Sequence, residues 1–319
     1  MTSNGMKAVV YDKNEAPDVL QVREVEKPTP RDHEVLVRIH ASSVNAADYR
    51  SLRMGIIPKR KIFGVDIAGR VEAAGKDTEK FKVGDDVFGD ISGCGSGGFA
   101  EYVSVPESAL ALKPAGVTFE DAAAVSMAAV TALQSLREKG NIQAGQKVLI
   151  YGAGGGVGIF ALQLAKYFGA NVTAVCSSKN LELVRSLGAD HVIDYAKEDF
   201  AKSGKHYDLI LAVNGNRSLS DYKRALTPKG VFVMVGGALS QVIKTMLFGA
   251  IMSIGGKKMR FLAAKPNTKD LEYIIKLVEG GKVKPVIERR YPLHETAEAM
   301  RYLGEGHARG KVVINVVLT

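Results

Sequence analysis

Lys147–Cys176 reads KVLIYGAGGGVGIFALQLAKYFGANVTAVC, and the fold turns on how this stretch is read. A short β-branched run, KVLIYG, leads into Ala153-Gly154-Gly155-Gly156-Val157-Gly158. A segment follows whose apolar residues Ile159, Leu162, Ala165 and Phe168 recur at helical spacing, and NVTAVC then forms a second strand. Glycines suit a chain that must turn tightly, approach a pyrophosphate closely, and aim the unpaired N–H groups of a helix start at that anion. Counting back from Gly158 gives A-x-G-x-x-G, with Ala153 where the commoner fingerprint has its first glycine. Set between a strand and a helix, with a second strand ending about twenty residues on, the loop predicts a dinucleotide site at Ala153, Gly155, Gly156, Val157 and Gly158.

The same alternation continues outward. Downstream come a helix over Leu181–Leu187, HVIDY, DLILAV, a helix after Ser218, GVFVMVG with Gly236 at its end, and RFLAA. Strands separated by helices pair in parallel, because a parallel neighbour is reached only by a crossover, so the region predicts a doubly wound sheet of about six strands. Upstream, MKAVVY, EVLVRIHAS, GRVEAA, DDVFG and FAEYVSVP are short apolar or alternating runs between Gly, Pro and Asp clusters, which predicts an antiparallel β domain. From Phe119 the Ala- and Leu-rich EDAAAVSMAAVTALQSLREKG, acidic in its first turn and closed by Gly140, predicts a helix bridging the two. The tail after Lys269 supplies two helices and a last strand, GKVVINVV, expected to rejoin the first domain. The fold class is therefore α/β: a β-rich domain over residues 1–124 and 268–319, and a doubly wound parallel sheet over 125–267.

Composition narrows the function. The 319 residues are 46% hydrophobic and 24% charged, ordinary usage for a globular chain with a sizeable core. Lys and Arg number 43 against 34 Asp and Glu, a surplus of nine that favours anionic partners such as phosphorylated cofactors, acidic carriers, anionic lipid or nucleic acid. Two cysteines, Cys94 and Cys176, permit neither a disulfide framework nor a four-cysteine zinc lobe, so the cytoplasm is the expected compartment. The N-terminus lacks the apolar core and basic lead of a signal peptide. Val242–Gly255 (VIKTMLFGAIMSIG) is too short to cross a bilayer and contains Lys244, so it is expected to be a buried or lid helix and membrane contact is not expected.

The end of the second strand selects the dinucleotide. An NAD site usually places Asp or Glu there to accept from the ribose 2′-OH, whereas Val175-Cys176-Ser177-Ser178-Lys179-Asn180 holds no carboxylate before Glu182. Ser177 offers a hydroxyl, Lys179 a cation and Tyr195, at the end of the next strand, a second hydroxyl, which together suit a 2′-phosphate. The expected cofactor is NADPH.

In the first domain, Asn45-Ala-Ala-Asp48, Gly64-Val65-Asp66-Ile67-Ala68-Gly69, Gly75, Phe81-Lys82-Val83-Gly84-Asp85 and Gly98-Phe99-Ala100-Glu101-Tyr102 occur in that order. With the glycine loop, this set resembles the medium-chain dehydrogenase/reductase superfamily, most closely its zinc-free quinone oxidoreductase and enone reductase branch, and the resemblance covers nearly the whole chain. It implies a GroES-like catalytic domain, a Rossmann domain and a cofactor held in the cleft between them. Zinc-dependent members carry Cys where Asn45 stands and Gly-His-Glu where Gly64-Val65-Asp66 stands, so no metal is expected here.

Without a Lewis acid the chemistry favours conjugated acceptors, in which the charge left by hydride addition spreads over an enolate or hydroquinone and neutral donors suffice. By resemblance, Asn45 and Tyr49 in VNAADYRSL are the candidate catalytic donors and Thr131 lies near the nicotinamide amide. Tyr49 reads equally well as a packing tyrosine, and Asp48 as a capping residue. Arg50, Arg53, Lys59, Arg60 and Lys61 form a basic run that is either solvated surface or a rim for an acidic carrier. Arg260–Ala264 reads as an edge strand, which in this family pairs with its copy, so a homodimer is expected.

The expected activity is NADPH-dependent, zinc-independent hydride transfer to quinones or α,β-unsaturated carbonyl compounds. A 2-enoyl thioester reductase is the enzymatic alternative. A structural or RNA-binding role, known among relatives, is the alternative of another class, but no aromatic RNA motif is visible and nucleic acid is not an expected partner.

Overall fold

The computed structural model describes residues 5–12, 19–253 and 255–317; parts of the N-terminal stretch and Ile254 within the apolar segment therefore lie outside the described residues. β1 (Gly5–Tyr11) pairs antiparallel with β2 (Leu20–Glu26), whose charged, outward residues hide its strand character in the sequence. β3 (Glu34–Val44) buries Val35, Val37 and Ile39 and then enters α1 (Ala46–Arg53). β4 (Asp66–Ala74), β5 (Asp86–Asp90), β6 (Tyr102–Pro106) and β7 (Leu110–Leu112) complete the N-terminal strands. α2 (Phe119–Gln134) continues as a π-helical turn over Ser135–Lys139 and stops at Gly140, where the sequence predicts the helix to end.

Beyond it come β8 (Lys147–Tyr151), α3 (Gly156–Tyr167), β9 (Asn171–Cys176), α4 (Leu181–Ser186) and β10 (His191–Asp194). These are followed by β11 (Tyr207–Ala212), α5 (Leu219–Arg224), β12 (Leu226–Met234), α6 (Leu239–Met252) and β13 (Lys258–Phe261). The strands form one six-stranded sheet in the order β10-β9-β8-β11-β12-β13, with every pair parallel. The order reverses about β8, which is the doubly wound topology the sequence predicts. Ile159, Leu162 and Ala165 of α3 are fully buried, as their spacing requires. β13 lies at the sheet edge as expected, but it begins at Lys258, before the predicted Arg260.

The tail adds α7 (Thr268–Glu279), β14 (Ile287–Pro292), α8 (Thr296–Gly304) and β15 (Lys311–Asn315). β15 pairs antiparallel with β3, Val312 opposite Val44, so the tail rejoins the N-terminal sheet, whose order is β14-β15-β3-β4-β5-β7 with β6 also on β3. β14 escapes a reading by hydrophobic pattern because its run, IERRYP, exposes two arginines at a sheet edge. The chain divides into two compact units: one holds the residues up to Val130 with Pro266–Gly281 and the segment from Pro285, the other Thr131–Lys265 and Lys282–Lys284.

The apolar segment corrects one expectation. α6 is a helix, but it is not buried: Leu239, Met246, Leu247 and Ile251 are 62, 61, 65 and 64% exposed. The small residues Thr245 and Gly249, one turn apart, are the buried ones, with Val242 and Met252 packing partly buried beside them, and a Cβ at Gly249 would press on the Met259 carbonyl of β13. Close approach through the small residues leaves the large apolar ones outside. No helix among the described residues is long and apolar enough to cross a membrane.

Candidate cofactor and catalytic sites

The loop after β8 separates glycines required by packing from those that are not. Gly152 has φ +90°, in the left-handed region, and it and Ala153 donate their N–H groups to the Val175 carbonyl, each at 3.0 Å. A Cβ on Gly158 would run into the Gly152 carbonyl, so this glycine lets α3 sit against the loop. Gly154 is pressed by the side chain of Asn180. At Gly155, the N-cap of α3, a Cβ would meet only the Gly152 carbonyl at 3.7 Å, and no side chain caps the helix. Gly155, Gly156 and Val157 are partly exposed, whereas Ala153, Gly154 and Gly158 are buried. This open cradle in front of uncapped first-turn amides fits a dinucleotide pyrophosphate. Gly236, just past β12, donates to Ala212 O at 3.1 Å and accepts from Gly215 N–H at 2.8 Å, drawing the ends of β11 and β12 together at the same carboxyl edge of the sheet.

The parallel register also brings the 2′-phosphate candidates together. Tyr195 follows β10 and donates its backbone N–H to Cys176 O at 3.1 Å, beside Ser177 and Lys179 at the end of β9. Tyr195 is exposed, and so is Lys179, which forms no ion pair among the described residues. Two groups here were missed in the sequence. Asp194, opposite Cys176 in the register, is a carboxylate at the same edge, invisible when β9 is read alone. Its oxygens already accept from Ser178 Oγ (2.6 Å) and Ala196 N–H (3.0 Å), bonds that hold it below the usual carboxylate range. Asn180 is buried under Gly154, and its Oδ1 has no hydrogen-bond partner. Thr131 lies on α2, partly exposed, one turn after Met127.

In the first unit, the turn from β3 into α1 assembles a buried polar cluster. Asn45 caps α1; its backbone N–H donates to Asp48 Oδ2 at 2.9 Å, and Asp48 Oδ1 accepts from Gly64 N–H at 3.3 Å, so Asp48 caps as expected. Burial nevertheless pushes its carboxyl up to about 7. Asp66, fully buried, accepts at Oδ2 from Ser43 Oγ (2.6 Å) and Asn45 Nδ2 (2.8 Å), and at Oδ1 from Met127 N–H (2.9 Å). Lys311, the first residue of β15, is 2% exposed; its Nζ donates to Asn45 Oδ1 at 2.7 Å and lies 3.5 Å from Asp66 Oδ2. Burial pulls this ammonium down, while Asp66, Asp48 and Asp90 oppose that pull. Asp90 is pushed up to about 6 by burial, with Asp66 adding to the rise. Lys311 and Asp90 were not singled out in the sequence; the one signal was a lysine opening an otherwise apolar strand.

This cluster does not fit zinc. Of the positions that carry ligands in zinc-dependent members, two hold a carboxamide and a carboxylate that already face an ammonium, and a second cation there would be repelled. Among the described residues no group of three or more His, Cys, Asp or Glu could hold a metal ion.

Tyr49 has a different setting. It packs against the first unit's core, and a Cβ on Gly304 of α8 would collide with its ring, so the ring packs between α1 and α8. In the basic run, Arg60 is engaged with the carbonyls of Ser96 (2.8 Å) and Ser104 (2.9 Å), whereas Arg50, Arg53 and Lys59 are exposed.

A GroES-like sheet unit joined to a parallel sheet with a glycine-lined dinucleotide cradle defines a nicotinamide-dependent dehydrogenase or reductase. Residues 31–115 match the alcohol dehydrogenase GroES-like domain and residues 187–314 the zinc-binding dehydrogenase domain. The chain is 34% identical over 305 residues to the chloroplast envelope quinone oxidoreductase homolog of Arabidopsis thaliana, covering 91% of this chain and 92% of the relative. It is also 34% identical over 325 residues to the chloroplastic NADPH-dependent alkenal/one oxidoreductase of Arabidopsis thaliana, covering 97% of this chain and 79% of that one. The solved quinone oxidoreductase from Coxiella burnetii matches with a TM-score of 0.87 at 28% identity, over 98% of this chain and 100% of the other. The chain belongs to the medium-chain dehydrogenase/reductase superfamily, in its quinone oxidoreductase and enone reductase branch.

Proposed function

We propose that this chain is an NADPH-dependent, zinc-independent reductase of quinones or α,β-unsaturated carbonyl compounds. The observation that carries this reading is the ammonium of Lys311 seated on Asn45 Oδ1 and beside Asp66, which leaves neutral hydrogen-bond donors rather than a Lewis acid. Such donors suit an acceptor whose developing charge is delocalised.

NADPH, when bound, supplies the hydride. The amides of Gly156, Val157 and Gly158 hold the pyrophosphate, with Gly155 leaving room for it and Ala153 and Gly236 shaping the carboxyl edge around it. Ser177, Lys179 and Tyr195 hold the 2′-phosphate, and Thr131 serves the nicotinamide end. Asn45 acts on the acceptor: one N–H is spent on Asp66, and the other makes only a long hydrogen bond to Ser43 O at 3.4 Å, which an acceptor's carbonyl oxygen would replace without any turn of the carboxamide. The relatives named for quinones and for alkenals and enones support this substrate class. Two free cysteines fit a reducing compartment, taken here as the cytoplasm, and the edge of β13 would pair with a second copy in a homodimer.

The test is oxidation of NADPH and of NADH against a panel of quinones, alkenals, 2-enoyl thioesters and simple ketones, with zinc measured on the same preparation. Turnover of quinones or enones with NADPH and no stoichiometric metal is expected. Turnover confined to thioesters would transfer the assignment to acyl reduction. Zinc-dependent turnover of simple alcohols or ketones would overturn the proposal.

A further inference from the structure

We infer that Lys311 is a positioning residue for the reduction: its ammonium locks the carboxamide of Asn45 in the one orientation that presents an N–H to the acceptor. The inference rests on the preceding assignment of Asn45 to the acceptor's oxygen.

A carboxamide is nearly symmetric in shape, so only its hydrogen bonds decide which end is oxygen and which nitrogen. Here the decision is made from both sides. Lys311 has donors only, and at 2.7 Å it requires an acceptor at Oδ1. Asp66 Oδ2, at 2.8 Å, requires a donor at Nδ2. Asp66 is itself pinned by Ser43 Oγ and by the Met127 N–H of α2, so it cannot follow Asn45 if the side chain turns. A cation on the carbonyl oxygen also polarises the amide and strengthens the remaining N–H as a donor.

Charge neutralisation alone is the competing role for a buried lysine beside a buried aspartate, and the two roles separate experimentally. Lys311→Met strands Asp66 as a buried anion and lowers both stability and turnover. Asp66→Asn/Lys311→Met removes both charges and keeps a carbonyl oxygen for Asn45 Nδ2, at the cost of the acceptor for the Met127 N–H that Asp66→Asn loses equally, but leaves Asn45 Oδ1 without its donor. Four variants, Asn45→Ala, Lys311→Met, Asp66→Asn and the double variant, are compared by thermal melting, by NADPH affinity from cofactor fluorescence and by kcat with one enone.

The double variant is expected to regain most of the melting temperature lost in Lys311→Met and to bind NADPH like the wild type, with kcat still about tenfold or more below that of Asp66→Asn. The last comparison stands even if Lys311→Met fails to fold, because the two proteins differ only in the ammonium. Equal kcat in Asp66→Asn and the double variant, with Asn45→Ala crippled, would overturn the positioning role and leave Asn45 in place. Wild-type kcat in Asn45→Ala would overturn both.

Discussion

The glycine loop and the polar cluster around Asn45 are built in opposite ways. The loop occupies a few consecutive residues, and its glycines answer to contacts within the strand-loop-helix unit or to side chains at the same sheet edge, Asn180 on Gly154 and Asn214 on Gly152. The cluster draws on β3, β4, α1, α2 and β15, so Asn45 and Lys311, bonded at 2.7 Å, stand near opposite ends of the chain. Local geometry makes an anion cradle; long-range folding makes a charge-compensated site. The difference predicts which substitutions are felt by the cofactor and which by the whole fold.

The largest effect is expected in the cluster. Lys311→Met leaves a buried carboxylate unpaired, and chemical denaturation should show a loss of about 3–5 kcal/mol. A loss under 1 kcal/mol, roughly that of a surface pair, would erase the contrast between the two regions.

Gly155→Val is the matching test in the loop. Its Cβ would meet only the Gly152 carbonyl, at an ordinary 3.7 Å, so the melting temperature should change little, while NADPH affinity falls by about tenfold or more. Unchanged affinity would mean that nothing approaches the cradle. Lys179→Ala sharpens the same region: the Michaelis constant for NADPH should rise several-fold while that for NADH stays level, and equal changes for both would remove the 2′-phosphate role.

Asp48 gives the pH signature of the cluster. Its carboxyl sits at about 7 in the folded protein against an ordinary value of 3.8, so the folded state holds its proton more tightly than the unfolded chain does. The stabilisation is therefore complete below the unfolded value and is lost as pH rises through about 7. Asp48→Asn cannot ionise, and its melting temperature relative to wild type should improve between pH 5 and pH 8; a constant difference would place the shift elsewhere.

The smallest effect belongs to Tyr49→Phe. The ring contact with Gly304 is kept, so melting temperature and kcat should both stay close to wild type. A large drop in kcat with intact folding would return the phenol to the chemistry.

The fold was legible wherever pattern and burial coincide. KVLIYG, NVTAVC and DLILAV are buried in a parallel sheet and read as unbroken apolar runs, and the apolar spacing of α3 matches its buried face. β2 and β14 were not legible because they pair while exposing charged residues. α6 misled in the other direction: its apolar content suggested a buried or lid helix, but Thr245 and Gly249 are its buried residues, Val242 and Met252 pack only partly buried, and the other large apolar side chains stay exposed.

The amino-acid order alone was enough for the alternating α/β architecture, the glycine cradle and the shortage of acidic side chains along β9, because each depends on contacts within one short segment. Folding in three dimensions was needed to bring Asp194 beside Ser178, to seat Lys311 on Asn45 and Asp66, and to turn Tyr49 against Gly304. Those are pairings between distant strands and helices, and their partners are selected by sheet register and helix packing, which no local spacing encodes.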